Sequence, residues 1–259
     1  MSETVIVKIK SGVETIVLNR PDSYNAFNRE MSLALQKAID QGASDSSVRA
    51  ILITGKGKAF SSGQDLNEAT NPKGPDLNTI LLEHFNPIIR KIRKTPKPIV
   101  IAINGIAAGA GANLALVGDI VVASESTSFV QAFSKIGLIP DSGGTLTLPR
   151  LVGYAKASAW MITGEKIGAQ EALASGMIYK VFSNDELIDK SLEIAEALAK
   201  QPTRAFAGIK EAINRSTFYG LDEQLEAERV LQVNMGETHD FKEGVSAFLE
   251  KRSPKFKGE

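Results

Sequence analysis

Pro98-Ile99-Val100-Ile101-Ala102-Ile103-Asn104-Gly105-Ile106-Ala107-Ala108-Gly109-Ala110-Gly111-Ala112-Asn113-Leu114-Ala115-Leu116-Val117-Gly118 carries no charged residue, and the reading of this stretch decides the fold. About 20 such residues are long enough to span a bilayer. Its internal order argues against that. Pro98 to Ile103 is a β-rich run, Asn104-Gly105 is a turn signal, and Gly109, Gly111, Asn113 and Gly118 interrupt the remainder. Strand, turn and a buried small-residue helix from about Gly109 to Leu116 account for the sequence, with a second apolar strand at Asp119 to Ala123. Upstream the rhythm is similar. Val5 to Val7 and Thr15 to Leu18 flank Ser11-Gly12 as a hairpin, and Met31, Leu33, Leu35, Ala38 and Ile39 recur at helical spacing until Gly42. Ala50 to Thr54 reads as a strand, Gly55 to Gly63 as a glycine-containing loop, and Leu77 to Lys94 as a helix whose charged end is a solvated face. Strands alternating with helices predict an α/β fold with parallel pairing.

Beyond about residue 185 the strand signals stop. Helical patterns follow at Glu186 to Lys200, Thr203 to Ile213, Leu221 to Val233 and Asp240 to Leu249. The division expected is a core over 1–195 and a helical C-terminal region over 196–259. The apolar stripe of Leu221, Leu225 and Leu231 with Val230 needs a surface to pack on, inside the chain or in an oligomer.

Composition narrows the chemistry. Over 259 residues, 30 Lys plus Arg balance 30 Asp plus Glu, so nucleic acid and anionic membranes are disfavoured partners. A content of 43% apolar and 23% charged residues is that of an ordinary globular protein. With no cysteine, disulfides, thiolate metal sites and cysteine nucleophiles are excluded together. His84 and His239 are the two histidines, too few for a histidine-built metal site. Glu3, Lys8, Lys10 and Glu14 break up Met1 to Asn19, which therefore reads as strand, not signal peptide, and a cytoplasmic location is expected.

Two loops share one plan of apolar strand, glycine-containing turn and helix start: Gly57-Lys58-Ala59-Phe60-Ser61-Ser62-Gly63-Gln64-Asp65-Leu66 and Asn104 to Leu114. Small residues let backbone approach a ligand, and free N–H groups at a helix start face developing negative charge. Two such groups converging on one carbonyl oxygen form an oxyanion hole. Tight helix packing explains either loop alone equally well, and the Gly109, Gly111 pair is a weak dinucleotide signal because Leu114 stands where a third glycine belongs.

Taken together, the loops resemble the crotonase, or enoyl-CoA hydratase and isomerase, superfamily. The matching segments are Asn19-Arg20-Pro21 with Asn25-Ala26, Phe60 to Leu66, Pro98 to Gly111, Gly137-Leu138-Ile139-Pro140-Asp141-Ser142-Gly143-Gly144-Thr145, Leu148-Pro149-Arg150, Ala169 to Ala174 with Gly176, and Phe248 with Lys251-Arg252-Ser253-Pro254. They cover essentially the whole chain in order. The resemblance implies a ββα spiral core with a helical C-terminal oligomerisation region, assembly as a homotrimer or dimer of trimers, and acyl-CoA thioester substrates. No cofactor is implied beyond the coenzyme A of the substrate. The oxyanion donors carry over to the main-chain N–H groups of Gln64 and Ala110, the latter replacing the usual glycine. Adenine and pantetheine contacts carry over to Ser23, Tyr24, Ser62, Asp65 and Leu66, and Phe248 and Lys251 match residues that reach the nucleotide of a neighbouring subunit's ligand. Tyr24 as surface packing and Lys251 as a solvated charge remain open readings.

A hydratase holds water between two carboxylates. The family's two glutamates fall at Asn113 and Phe133, neither of them acidic, so hydration is not expected. Asp141 remains. Acids at this place are bases in dienoyl-CoA isomerases, in some Δ3,Δ2-enoyl-CoA isomerases and in the isomerases of ring-epoxidised phenylacetyl-CoA. The resemblance is greatest to the last group, through Phe129 to Asp141, Gly176-Met177-Ile178 and Glu243 to Leu249. It implies conversion of ring-1,2-epoxyphenylacetyl-CoA to the oxepin, with a fatty double-bond shift as the alternative. Asp141 has a competing role as side-chain cap of the next helix, and Asp119, Asp65 and Asn113 are equally well read as structural. An aryl-CoA dehalogenase would need His84 as base and Trp160 nearby, and a non-catalytic CoA-ester or RNA binder would have no use for Asp141. The segment from Asn67 to Phe85 is expected to shape the acyl pocket.

Overall fold

The computed structural model describes residues 3–259; of the N-terminal strand reading, Met1 and Ser2 lie outside. The elements follow as β1 (Val5–Lys10), β2 (Val13–Leu18), α1 (Arg29–Ser44), β3 (Ala50–Gly55), β4 (Ala59–Ser61), α2 (Leu66–Ala69), α3 (Leu77–Thr79), a π-helical turn (Ile80–Phe85), α4 (Asn86–Lys94), β5 (Ile99–Ile103), β6 (Ile106–Ala108), α5 (Ala110–Leu116), β7 (Ile120–Ser124) and β8 (Ser128–Val130). A short 3-10 turn (Ala132–Ile136) leads to α6 (Gly144–Val152), α7 (Tyr154–Thr163), β9 (Lys166–Gly168), α8 (Ala169–Ala174), β10 (Lys180–Phe182), α9 (Leu187–Ala199), α10 (Thr203–Thr217), α11 (Leu221–Gly236) and α12 (His239–Leu249).

Two sheets share the work. One has the order β1-β2-β3-β5-β7-β10, the other β4-β6-β8-β9. Only the hairpin β1-β2 is antiparallel in the first; β2-β3, β3-β5, β5-β7 and β7-β10 run parallel. Each long strand is followed at once by a short strand of the second sheet: β3 by β4, β5 by β6, β7 by β8. Three successive strand-strand turns stack into the ββα spiral expected of the crotonase fold.

The central strands are buried on both faces, as parallel strands covered by helices must be. Ile51, Ile53, Ile99, Ile101 and Ile103 point into one core with α1, α4 and α5, whereas Ala50, Leu52, Val100 and Ala102 meet Leu187, Ala195 and Ala199 of α9 on the other side. On α11, Leu225 is fully buried and Leu221 packs against the same core, while Val230 and Leu231 are exposed.

The structure corrects two sequence readings. Gly55 to Gly63 is not all loop, because Ala59–Ser61 pairs with β6. The charged end of the 77–94 helix is not a solvated face throughout: Arg93 is buried, donating to the Val117 carbonyl (2.9 Å), Asp119 (3.1 Å) and Asn214 (2.6 Å). A guanidinium reads as surface until its partners, supplied by distant segments, are known. No helix among the described residues is long and apolar enough to cross a membrane.

Candidate active site

The strand-to-helix corners of the spiral open on one cavity of about 570 Å³. Its backbone floor comes from the β4 and β6 loops. Phe27 flanks Gln64 in a parallel bridge: the Phe27 N–H donates to the Gly63 carbonyl (2.7 Å) and the Asp65 N–H donates to the Phe27 carbonyl (2.8 Å). Extended backbone then sends the N–H of Gln64 itself to the opposite side. Ala110 opens α5, so its N–H has no intrahelical acceptor. Neither amide is bonded to another main-chain carbonyl among the described residues, and Gln64 and Ala110 both line the cavity. The loops touch: a Cβ on Gly63 would stand 3.4 Å from the Ala110 nitrogen.

Glycine is required twice here. Gly109 turns into α5 at φ 52° and ψ −130°, and a Cβ at Gly111 would come within 2.7 Å of the Ser61 carbonyl and hydroxyl oxygens. These are the demands of an apposed pair of loops, not of a dinucleotide. Asn25, fully buried, ties the segment before α1 to β4, donating through Nδ2 to the Ala59 (2.8 Å) and Lys56 (3.0 Å) carbonyls.

Asp141 lines the same cavity and is 7% exposed. Its Oδ1 accepts from the Ser142 hydroxyl at 2.8 Å and its Oδ2 from Gln232 Nε2 at 3.0 Å. Burial pushes its carboxyl up to about 6, with those two donors pulling the other way. The side chain does not cap α6. That task belongs to Glu228 of α11, whose Oε2 accepts from the Gly143 N–H (2.8 Å) and whose Oε1 accepts from the Thr145 N–H (2.9 Å) and hydroxyl (2.5 Å). Glu228 is itself buried, and burial raises its carboxyl to about 7, the charge of Asp141 adding to the rise.

The sequence reading missed Glu228 and Gln232. Their signal was present in the spacing: Leu221, Leu225, Glu228 and Gln232 fall on one helical face, so two polar residues continue an apolar stripe into the core.

Ser23, Tyr24, Ser62, Asp65, Leu66 and Phe248 all line the cavity, Tyr24 and Phe248 with much of their surface in solvent. Asp65 is also paired with Arg20 at 2.9 Å and caps α2 by accepting from the Asn67 N–H. Lys251 is exposed and outside the lining, which Arg252 joins instead. Asn113 stays behind the wall: its Nδ2 donates to the Asp141 carbonyl (2.8 Å) and its Oδ1 accepts from Gln131 (2.8 Å), so it supports the main chain at Asp141. Phe133 lines the cavity, apolar where a second acid would be needed. Asp119 is structural, held by Lys210 (2.7 Å) and Arg93 and accepting from the Ile99 N–H. His84 and Trp160 are buried outside the lining, so the structure does not assemble a dehalogenase set. Of the 67–85 segment, Asn67, Ala69, Leu77, Ile80, Leu81 and Phe85 form an apolar-dominated wall.

The chain is similar to known proteins over nearly its whole length. The sequence profile of the enoyl-CoA hydratase/isomerase family matches residues 8–259. The chain is 46% identical to the 1,2-epoxyphenylacetyl-CoA isomerase of Escherichia coli (strain K12), over 100% of both chains. It is 37% identical to the trans-2-decenoyl-(acyl-carrier-protein) isomerase of Streptococcus mutans, over 98% of both. The crystal structure of an enoyl-CoA hydratase from Mycobacterium avium subsp. paratuberculosis superposes with a TM-score of 0.90 at 35% identity, over 98% of both chains. With its spiral core, its two apposed main-chain amides and these relatives of equal length, the chain belongs to the enoyl-CoA hydratase/isomerase family.

Proposed function

We propose that this protein is an acyl-CoA isomerase that converts ring-1,2-epoxyphenylacetyl-CoA to the oxepin thioester in the cytoplasm, with Asp141 as acid and base. One observation carries the reading: a single buried carboxylate free of ion pairing shares an apolar cavity with two unbonded main-chain amides. The thioester oxygen sits between the N–H groups of Gln64 and Ala110, each worth roughly 3–4 kcal/mol to the developing enolate. The ring bond shared by epoxide and carbocycle opens to the seven-membered ring. Asp141 removes a proton from C2 of the side chain and returns it to a ring carbon, so atoms balance and nothing is consumed. Hydration needs a second acid to hold water, and Phe133 fills that side.

Ser23, Tyr24, Ser62, Asp65 and Leu66 are assigned to the coenzyme A moiety, no other cofactor taking part. Phe248 and Lys251 are assigned to the nucleotide end of a neighbour's ligand in a trimer or paired trimers. A Δ3,Δ2 double-bond shift in a fatty acyl-CoA is the second reading, favoured by the apolar wall of Leu77, Ile80, Leu81 and Phe85. Turnover of both thioesters by the purified protein separates the two, and failure on both refutes the assignment.

A further inference from the structure

We propose that Glu228 and Gln232, one turn apart on α11, are positioning residues for the catalytic base, clamping the 139–145 segment so that the Asp141 carboxylate faces the acyl group instead of capping α6. The inference deepens the proposed function and rests on Asp141 being the base.

An aspartate just ahead of a helix has ready alternatives. The N–H groups of the first turn lack intrahelical acceptors, and short acidic side chains bind them readily. Here Glu228 occupies the N–H groups of Gly143 and Thr145 and the Thr145 hydroxyl, whose oxygen also accepts from Gln224 at 2.7 Å. Asp141 is left with Ser142 and Gln232. The backbone between is bent sharply, with Ser142 at φ 57° and Gly143 at φ 75°. A serine in the left-handed region is held there by its surroundings.

Gln232 fixes the other side. Its Oε1 accepts from the Ile139 N–H at 2.9 Å, so its Nε2 must be the atom facing Asp141 Oδ2. An amide flip would set N–H against N–H at Ile139. The clamp thus grips both ends of the segment, Ile139 and Thr145, and the carboxylate between them.

The groups facing Asp141 are Ser142 from its own segment and Gln232 and Glu228 from α11. Asn113 of α5 meets only its carbonyl. Lys135 from the 132–136 turn and Arg252 beyond α12 are the cations lining the same cavity, with Asp22 and Asp65 at the β4 side. The two clamp residues therefore act on the base differently. A donor from Gln232 favours the carboxylate, whereas Glu228, raised to about 7, is still protonated where Asp141 ionises and bears on its place, not its charge.

The test is enolate-dependent deuterium exchange at C2 of phenylacetyl-CoA by Gln232→Met and Glu228→Gln, with kcat and KM followed across pH. In both, kcat falls about tenfold or more with KM changed little, as expected for a misplaced base. The acidic limb moves up in pH for Gln232→Met and stays in place for Glu228→Gln, whose carboxyl, raised to about 7, is still protonated where Asp141 ionises, a contrast that loss of packing would not produce. Wild-type kcat with an unmoved limb in both variants overturns the inference. Should Glu228→Gln not fold, Gln232→Met decides alone, since it alters no charge. Asp141→Asn in the same assay keeps the two levels apart. If it retains exchange, the acid/base assignment falls; if it loses exchange while both α11 variants behave as wild type, only the clamp falls.

Discussion

Asp141→Asn should inactivate the protein and stabilise it at once. The carboxyl titrates at about 6 in the fold, against an ordinary 3.8, because it is buried. Between those values the native state holds a proton that the unfolded chain has already released. Ionising Asp141 in the fold therefore costs stability, a cost absent below the unfolded value and complete above the folded one; about two units amount to roughly 3 kcal/mol. Asparagine removes that cost. Its amide N–H₂ then faces Ser142 or Gln232, and since the serine hydroxyl can turn round and accept, the hydrogen-bond loss is about 1 kcal/mol.

The net expectation is a variant more stable than wild type by about 2 kcal/mol at pH 8 and by less than about 1 kcal/mol at pH 5, where the wild-type carboxyl is largely protonated. Turnover and C2 deuterium exchange fall about 10²–10⁴-fold, the usual contribution of a positioned acid-base group. Urea denaturation at the two pH values measures the first, mass spectrometry of the thioester the second. A variant that is less stable at both pH values by the same amount would mean that Asp141 is an ordinary structural carboxylate. Retained exchange would mean that the proton is moved by another group.

Ala110→Pro deletes the N–H proposed as one oxyanion donor, at the first position of α5, where proline is tolerated. The expectation is a loss of about 10²–10³ in kcat with a near-normal melting curve, whereas Ala110→Gly keeps wild-type rates because the side chain takes no part. Equal rates in both variants would remove Ala110 from the mechanism. Asp119→Asn leaves Arg93 and Lys210 buried without their counter-charge and should cost about 3–5 kcal/mol in urea titrations. The loss should shrink as pH rises toward 8, because burial has lowered Lys210 to about 8 even with Asp119 raising it, and without that carboxylate the amine sheds its proton lower still.

What the sequence disclosed follows from how local each signal is. β3, β5 and β7 were legible because four or five consecutive apolar residues between turn signals have one reading, and both loops could be placed because their glycines are bracketed by those strands. The second sheet was not, since β4, β6, β8 and β9 have three residues each and show no period. Arg93 was misread for a different reason. Its partners Asp119 and Asn214 lie 26 and 121 residues away, and no window of sequence contains them. The π-helical turn at Ile80–Phe85 likewise left no mark in the apolar pattern of the 77–94 helix.

The site divides along the same line. The role proposed for Gln64 and Ala110 belongs to main-chain atoms, so their positions depend on the nearby glycines, and a short motif suffices to find them. Asp141 was legible by residue type, yet its sequence allowed two roles, cap and base, that differ only in where a side chain turns. That choice is made 87 residues later by Glu228, which takes the capping contacts on α6, and by Gln232, which holds the carboxylate one turn further along. If Asp141 is the base, the C-terminal helices help make it, and in a chain shortened before α11 whose spiral still folds, the aspartate would be free to fold back onto its own helix. Such a truncation should lose C2 exchange even where a soluble core survives, while thioester binding through the β4 side persists. Exchange at the full-length rate would show that Asp141 needs no help from α11.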